Sequence, residues 1–215
     1  MTATLGRRFR QRLLALGLAW FGCYHDRLLA ERKRVLFASL AGTVVEIGPG
    51  TGPNLRYYPN GIRWIGAEPN PFMHRHIKAE AASLGLPISL VSGRAEALPF
   101  SSASVDGIVI TLVLCSVDNV PSALAEIRRV LKPGAPLVFV EHVAAPVGTR
   151  LRRWQRWLRP ITRCIGDGCE PDRETWSRLA VGGLRIRTLE RFRLGIPLVS
   201  PHIAGVAVRD GGRDS

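Results

Sequence analysis

The chain has 215 residues, a hydrophobic content of 46% and a formal net charge of +13. This length suits one domain with a small appendage, and no run approaches the roughly 20 apolar residues that a membrane-spanning helix needs. The basic excess favours a polyanionic partner, either nucleic acid or an anionic membrane surface, although nearly all of the basic residues are arginines, as in proteins encoded by GC-rich genomes.

The first 34 residues are predicted to form a basic amphipathic helical segment. Its apolar part, "LLALGLAWFG" (Leu13–Gly22), follows four arginines, and no small-residue cleavage site comes after it, which argues against a signal peptide. We expect this segment either to cap the domain or to contact a membrane surface. Residues 35–215 are predicted to form the main domain, with a helical insertion over 147–170.

Strand and helix patterns alternate through the main domain. Five apolar or β-branched runs predict strands, in the order "TVVEIG", "IRWIGAE", "PISLVSG", "GIVITLV" and "APLVFVEHV". Between and after them, helices are predicted at "NLRYYP", "PFMHRHIKAEAASLG", "PSALAEIRRVLKPG" and "DRETWSRLAVGG". "LRIRTLERFR" and "PHIAGVAVR" predict a closing antiparallel pair. The fold class is therefore α/β: a doubly wound, mostly parallel, seven-stranded sheet with a closing antiparallel strand.

The four cysteines give no sign of a disulfide framework or a metal site. Cys23, Cys115, Cys164 and Cys169 form no CxxC pair and no Cys/His spacing typical of zinc. We therefore expect no metal and a reducing, cytoplasmic environment.

The first predicted strand ends in a glycine-rich turn, "EIGPGTG". Gly48, Gly50 and Gly52 allow a sharp turn and a close approach of the backbone to a ligand. A dinucleotide site commonly has GxGxxG, whereas here Glu46 stands two residues before the first glycine. A carboxylate there would repel phosphate and would suit a ligand with an ammonium group.

Three further features follow in order. Glu68 ends the second strand, where a carboxylate can accept hydrogen bonds from ribose hydroxyls. "GRAEALPF" (Gly93–Phe100) follows the third strand, and "VLKPGAPLVFVEH" (Val130–His142) joins a helix to the fifth strand. With the glycine turn, this set resembles the Rossmann-like S-adenosylmethionine-dependent methyltransferases over roughly Val44–His142.

The resemblance implies a cofactor site. It implies that the three glycines approach the methionine and ribose portions, that Glu68 binds the ribose, and that Ala95 and Glu96 flank the adenine. Thr111 and Leu112 would line the side that faces the methyl group. The remaining residues expected at this site lie next to these: Glu46, Pro49, which stands where the family more often has cysteine or serine, Pro69 and Asn70.

Four more stretches narrow the resemblance: "TLVLCSV" (Thr111–Val117), "FVEHVAAP" (Phe139–Pro146), "GDGCEPDRETW" (Gly166–Trp176) and "PHIAGVAV" (Pro201–Val208). Together they are similar to the methyltransferase-like seven group of membrane-associated thiol S-methyltransferases. The resemblance implies methylation of small thiols or hydrogen sulfide. Animal members of that group carry a longer hydrophobic leader, so here we expect peripheral contact with a membrane at most.

Thiol methylation requires a thiolate, since the thiolate is the nucleophile. His142 and His202 are the candidate bases, and Asp167 either orients a histidine or faces the pocket. Tyr24, Cys115 and Cys169 are candidates for the acceptor pocket. Each also has a structural interpretation: a hydrogen-bonded histidine, a turn-forming aspartate, or a cysteine packed as a small apolar residue.

Two other functions stay open. An enzyme of the same fold could methylate a lipid or quinone head group, which the insertion "RLRRWQRWLRPITR" supports because it suits a membrane surface. A non-catalytic module that binds S-adenosylmethionine or nucleic acid is supported only by the net charge, and no RNA-binding motif accompanies it. The sequence leaves the oligomeric state open.

Overall fold

The computed structural model describes residues 24–181 and 183–210. The apolar segment Leu13–Gly22, predicted to be a cap or a membrane contact, lies outside these residues. None of the helices in the described part of the chain is both long enough and apolar enough to cross a bilayer.

Seven strands form one sheet. They are β1 (Thr43–Ile47), β2 (Arg63–Ala67), β3 (Ser89–Val91), β4 (Gly107–Thr111), β5 (Pro136–His142), β6 (Leu184–Arg193) and β7 (Pro201–Arg209). Their order across the sheet is β3-β2-β1-β4-β5-β7-β6. The first five are parallel, and β7 pairs antiparallel with both β5 and β6. The predicted doubly wound sheet with a closing antiparallel strand is confirmed.

Within residues 24–181 and 183–210, five α-helices and one short 3₁₀ helix accompany the sheet. They are α1 (24–37), the 3₁₀ helix Pro53–Tyr57, α2 (Pro71–Ser83), α3 (Val120–Val130), α4 (Arg150–Ile165) and α5 (Thr175–Val181). Asn70 begins α2 by accepting a hydrogen bond from the amide of Phe72, and Pro71 occupies the first turn. The predicted boundary at residue 34 lies inside α1, which buries Leu29 and Phe37.

Successive side chains along each strand point to opposite faces of the sheet, and helices pack on both faces. On one face Val44 and Val109 pack with Phe37 of α1, and the neighbouring Trp64 packs with α2. On the other face Val45 and its neighbours pack with α3 and α5. The central strands are buried on both faces, which explains their continuous valine and isoleucine content.

The strand order reverses between β1 and β4, so that the chain leaves these two strands in opposite directions. In open α/β sheets the crevice at such a switch point, beyond the carboxyl ends of the strands, is where ligands bind. Because β7 runs antiparallel, its first residues reach the same edge, and His202 lies opposite His142 at the end of β5. The fold thus brings residues from distant parts of the sequence to one edge.

A buried ion pair within α1 is joined to this edge of the domain through Tyr57. Lys33 Nζ lies 2.6 Å from Asp26 Oδ1, and both side chains are less than 10% exposed. The hydroxyl of Tyr57, at the end of the 3₁₀ helix, donates to the other oxygen of Asp26 at 2.8 Å. The carboxylate therefore has partners on both oxygens and links α1 to the segment that follows the glycine turn.

Loss of one member of this pair should destabilise the protein strongly, because a buried charge would remain without its partner. We expect Asp26→Ala to lower the free energy of unfolding by about 3–5 kcal/mol. Lys132→Ala is the matched control: its ion pair with Asp106 is exposed, and its loss should cost less than about 1 kcal/mol. Urea denaturation followed by circular dichroism measures both. Equal effects would contradict a stabilising role for the buried pair.

Candidate active site

The glycine turn after β1 has the backbone conformation that its sequence predicts. Gly48, Gly50 and Gly52 have φ values of 62°, 60° and 87°, all in the left-handed region. A Cβ at Gly48 would lie 3.1 Å from Val113 Cγ2, whereas a Cβ at Gly50 would face open space. The turn therefore needs glycine for its conformation, and at Gly50 it exposes backbone to the crevice.

Glu68 lies directly beside this turn. Its side chain follows β2, is 5% exposed, and accepts hydrogen bonds from the amides of Gly50 at 3.1 Å and Asn70 at 2.8 Å. Burial raises the pKa of Glu68 to about 7, against the two backbone hydrogen bonds, and the nearby charge of Asp167 adds to the increase. A carboxylate that titrates near neutral pH thus stands at the mouth of the turn.

Glu46 is the centre of a buried polar network below the turn. One of its oxygens accepts from Asn54 Nδ2 at 2.7 Å, and the other accepts from the Tyr58 hydroxyl and from Trp64 Nε1. Burial raises the pKa of Glu46, and its three neutral donors oppose this. Its hydrogen-bond partners among the described residues are these three side chains, and Asn54 links the carboxylate to Thr111 at the edge of the crevice.

Asn54 was not selected from the sequence, yet it connects two predicted site residues. Its Nδ2 donates both to Glu46 and, at 3.1 Å, to Thr111 Oγ1 at the end of β4. Its Oδ1 is buried, and no partner lies within hydrogen-bonding distance among the described residues. A buried acceptor without a partner indicates a place for a ligand donor. The signal in the sequence was an asparagine two residues after the last glycine of the turn.

The loop after β3 is tied to the start of α3. Ala95 is buried, and Glu96 accepts hydrogen bonds from the amides of Asp118 at 2.8 Å and Asn119 at 3.3 Å. Pro49 is buried within the glycine turn, and Pro69 is exposed beside Glu68. These residues surround the same edge of the sheet, as their positions after successive strands predict.

Two predicted site residues have strained backbone. Leu112, immediately after β4, has a φ of 58°, and Asp167, in the loop after α4, has a φ of 51°. Neither is a glycine, and non-glycine residues in the left-handed region cluster at functional sites. Leu112 keeps its amide bonded to the carbonyl of Val140 on β5 at 2.9 Å. The strain therefore occurs where β4 ends and the chain turns into the crevice.

Cys115, His142 and Cys169 form a compact cluster, which we call the Cys/His cluster. Their ligand atoms all lie within 4.8 Å of one another, and His142 Nε2 is 3.3 Å from Cys169 Sγ. The three come from the segment after β4, the end of β5 and the loop after α4. The structure thus brings together three residues predicted for the acceptor side, while Tyr24 lies on α1 with 61% of its surface exposed.

The loop that carries Cys169 is held firmly against the segment that carries Cys115. The amide of Glu170 donates to the carbonyl of Cys115 at 2.9 Å, and the guanidinium of Arg173 donates to the carbonyls of Leu114 and Val117 at 2.7 Å. A Cβ at Gly168 would lie 3.0 Å from the Ser116 carbonyl oxygen. The spacing between the two sulfur atoms is therefore set by backbone contacts.

Contacts within the cluster shift the pKa values of the two thiols in opposite directions. The hydrogen bond from Cys169 lowers the pKa of Cys115 well below its usual range, with His142 contributing, while the same bond raises the pKa of Cys169. Burial lowers the pKa of His142, but the charge and hydrogen bond of Cys115 and the charge of Glu141 together raise it, so that the net shift is upward. The three side chains therefore affect one another's protonation.

His202 has both ring nitrogens engaged. Nδ1 lies 3.1 Å from the carbonyl of Ser200, which can only accept, so Nδ1 carries the proton. Nε2 then accepts from His25 Nε2 at 3.0 Å. Burial lowers the pKa of His202 to about 4, which keeps the ring neutral. Its ring centroid is 6.3 Å from that of His142, so His202 packs beside the Cys/His cluster with no nitrogen left for a substrate.

Glu141 is a second site residue that sequence reasoning missed. It is fully buried, and its Oε1 accepts from the amides of Val113 at 2.9 Å and Leu114 at 3.2 Å. Burial raises its pKa to about 8, with the charge at Cys115 contributing. The carboxyl group fixes the segment between Leu112 and Cys115. An acid inside an otherwise apolar strand was the available signal.

Comparison with known proteins covers most of the chain. Residues 45–139 match a family model described as a methyltransferase domain. The chain is 36% identical to thiol S-methyltransferase TMT1B of Homo sapiens over 199 residues, or 86% of this chain and 81% of that protein. It is 37% identical to thiol S-methyltransferase TMT1A of Homo sapiens over 206 residues, or 89% of this chain and 84% of that protein.

Solved structures agree on the fold. Geranyl diphosphate C-methyltransferase from Streptomyces coelicolor A3(2), determined in complex with S-adenosyl-L-homocysteine, superposes with a TM-score of 0.67 at 16% identity. The superposition covers 85% of this chain and 80% of that one. At this identity the likeness concerns the fold alone, and it confirms the Rossmann-like architecture predicted from the sequence.

Proposed function

This chain belongs to the family of the thiol S-methyltransferases, and on that premise we propose that its methyl acceptor is a small thiol. It is an S-adenosylmethionine-dependent methyltransferase. The observation that carries the proposal is the Cys/His cluster, which lies at the carboxyl ends of β4 and β5. A thiol acceptor reacts as its thiolate, and His142 in this cluster could take the proton of the thiol.

On the cofactor side, we assign the ribose hydroxyls to Glu68, whose two oxygens already accept hydrogen bonds from backbone amides. The methionine portion lies along Gly48, Gly50 and Gly52, and its ammonium group donates to the buried Oδ1 of Asn54. The other residues of this proposed site lie around the same edge: Glu46, Pro49, Pro69, Asn70, Ala95, Glu96, Thr111 and Leu112.

On the acceptor side, the reaction is an in-line displacement. The acceptor sulfur attacks the methyl carbon, the bond from that carbon to the sulfonium breaks, and S-adenosylhomocysteine leaves. Because the methyl group is already activated, positioning and exclusion of water contribute most of the acceleration. We place this reaction beside the Cys/His cluster and the strained residues Leu112 and Asp167, where His142 would offset the charge of the acceptor.

A lipid or quinone head group is the alternative acceptor. A phenol titrates near 10 and a cysteine-like thiol near 8.5, so a phenol requires a stronger base than a thiol does. Within the described residues, His202 has both nitrogens occupied, and Glu141 is fully buried with one oxygen held by two amides. The acceptor side offers sulfur and imidazole near the methyl donor, which favours the thiol.

Helix α4 supports a proposed contact with an anionic membrane surface. It packs on the domain through polar groups: Gln155 is fully buried and accepts from the amide of Ala145 at 2.8 Å, and Arg152 pairs with Glu174. Its large apolar side chains point outward instead, with exposed fractions between 52% and 69%: Trp154, Trp157, Ile161 and Ile165. Arginines flank this outward stripe, a composition typical of helices that lie in the membrane interface.

The acceptor assignment predicts a narrow reactivity. Purified protein with S-adenosylmethionine should convert small apolar thiols to methyl thioethers, and it should act weakly on phenols, amines and carboxylates of similar size. Mass spectrometry of the products, with S-adenosylhomocysteine formation as the common readout, measures this panel. Turnover of quinols or lipid head groups without turnover of any thiol would overturn the assignment and favour the alternative acceptor.

The pKa of Glu68 predicts how cofactor binding depends on pH. Ribose hydroxyls donate to the ionised carboxylate of Glu68. Below pH 7 the carboxyl group must lose its proton before it binds the ribose, so the affinity for S-adenosylhomocysteine should fall by up to about tenfold for each unit by which the pH is lowered. Calorimetry between pH 5.5 and 7.5 measures this. Glu68→Gln is the control, which should bind about 1–3 kcal/mol more weakly at pH 7.5 and lose this pH dependence. The same slope in both proteins would exclude Glu68 as its source.

The outward stripe of α4 predicts binding to vesicles that contain phosphatidylserine. The protein should sediment with them at low salt, and much of this binding should be lost at high salt because arginines contribute. Trp157→Ser should reduce the bound fraction several-fold. Trp176→Ser removes an exposed tryptophan of α5 and serves as the control, with binding unchanged. No sedimentation at low salt would instead favour α4 as a lid over the acceptor pocket.

A further inference from the structure

We propose that Cys115, His142 and Cys169 bind one zinc ion and leave its fourth position open. Each residue offers one ligand atom, and these atoms form a triangle whose sides are all 4.8 Å or shorter. Two sulfur ligands and one imidazole nitrogen, with a fourth position for water or substrate, are a ligand set that catalytic zinc sites use. The expectation that the protein uses no metal was based on spacing along the chain, and this cluster joins three separate segments.

The geometry of the cluster suits tetrahedral coordination. With Zn–S and Zn–N distances of about 2.3 and 2.0–2.1 Å, ligand atoms lie about 3.5–3.8 Å apart. His142 Nε2 and Cys169 Sγ are 3.3 Å apart, and the longest separation in the triangle is at most 4.8 Å. Movements of about 1 Å or less by the side chains would therefore complete the site. Because Nε2 faces the sulfur, Nε2 is the ligand nitrogen.

The chemistry of the donors selects the metal. Thiolates and imidazole favour zinc over magnesium, calcium and manganese, which prefer oxygen ligands. The two sulfur atoms are held by backbone contacts, since Glu170 and Arg173 bond to the carbonyls around Cys115. Cys115 and His142 are buried and Cys169 is half-buried, so the one accessible direction lies on the side of Cys169. An acceptor molecule would reach the metal from that side.

This inference deepens the proposed function and rests on it for the role of the metal. A hydroxide ion in the fourth position would take the proton of the incoming thiol and leave as water. The thiolate, held by zinc, would then attack the methyl carbon, and the carbon–sulfonium bond would break. Water would replace the thioether and lose one proton to the solvent, which restores the hydroxide. In this scheme His142 is a metal ligand, and the zinc ion, instead of the imidazole, stabilises the thiolate.

Zinc binding can be measured without turnover. We expect protein purified under reducing conditions, dialysed against excess Zn²⁺ and then against buffer, to retain one zinc per chain by elemental analysis. Co²⁺ in its place should give thiolate-to-metal charge-transfer bands and the visible spectrum of a tetrahedral site. Loss of a group that only hydrogen-bonds a ligand weakens metal binding about 10–100-fold, so Cys115→Ser or Cys169→Ser should weaken zinc binding more than about 100-fold.

Cys164→Ser is the matched control, because Cys164 is exposed and lies outside the cluster. This variant should keep one zinc and full activity. Binding of S-adenosylhomocysteine by each variant reports that it is folded. Less than stoichiometric zinc in the wild-type chain, equal loss in the Cys164 variant, or a Cys115–Cys169 disulfide as the resting state under reducing conditions would each overturn the proposal.

Metal content and turnover separate the two proposals. If zinc binds as expected and no thiol is methylated, the metal site stands and the thiol acceptor is wrong. If protein freed of metal by a chelator methylates thiols at the full rate, the thiol acceptor stands and the zinc site is wrong. If Zn²⁺ restores activity to the metal-free wild-type protein and does not restore it to Cys169→Ser, the zinc site and the thiol acceptor are both supported.

Discussion

The parallel pairing of β1 with β4 is the constraint on which the site depends. Val44 pairs with Gly107 and Ile47 with Ile110, so both strands end at the same level of the sheet. The glycine turn follows one strand and the strained segment at Leu112 follows the other. The antiparallel return of β7 is equally consequential, because only a reversed strand brings its first residues to the carboxyl edge. Through that return, His202 packs against His142 and bonds to His25 of α1.

The charge distribution at this edge contrasts with that of the whole chain. The protein carries a net charge of +13, yet buried carboxyl groups surround the crevice at Glu46, Glu68 and Glu141, each with a raised pKa caused by burial. A cofactor with a sulfonium and an ammonium group would favour their ionised forms. Methyl transfer removes the sulfonium charge, so the same carboxyl groups favour the substrate form of the cofactor over its product.

Sequence reasoning predicted the elements and the glycine turn, because these depend on local periodicity and on conformations that glycine allows. Glu68 and the glycines could be found for the same reason, since each follows a recognisable strand. Asn54 and Glu141 could not, because their roles depend on which neighbours remain unpaired after folding. Each member of the Cys/His cluster was selected as a candidate, but their contact was beyond reach: 27 residues separate Cys115 from His142 and another 27 separate His142 from Cys169, and no spacing rule describes three segments that meet at a sheet edge.

Helix α4 shows why an amphipathic pattern alone does not reveal which side of a helix faces the domain. Periodicity predicts that Trp154 and Trp157 share a face with apolar neighbours, and the usual expectation is that such a face is buried. Here Gln155 and three ion pairs dock the opposite, polar side, which leaves the tryptophans exposed. The loop with Cys169 continues directly from this helix. Under the proposed membrane contact, a helix lying on a bilayer would therefore place the half-buried side of the Cys/His cluster close to the phase in which apolar thiols concentrate.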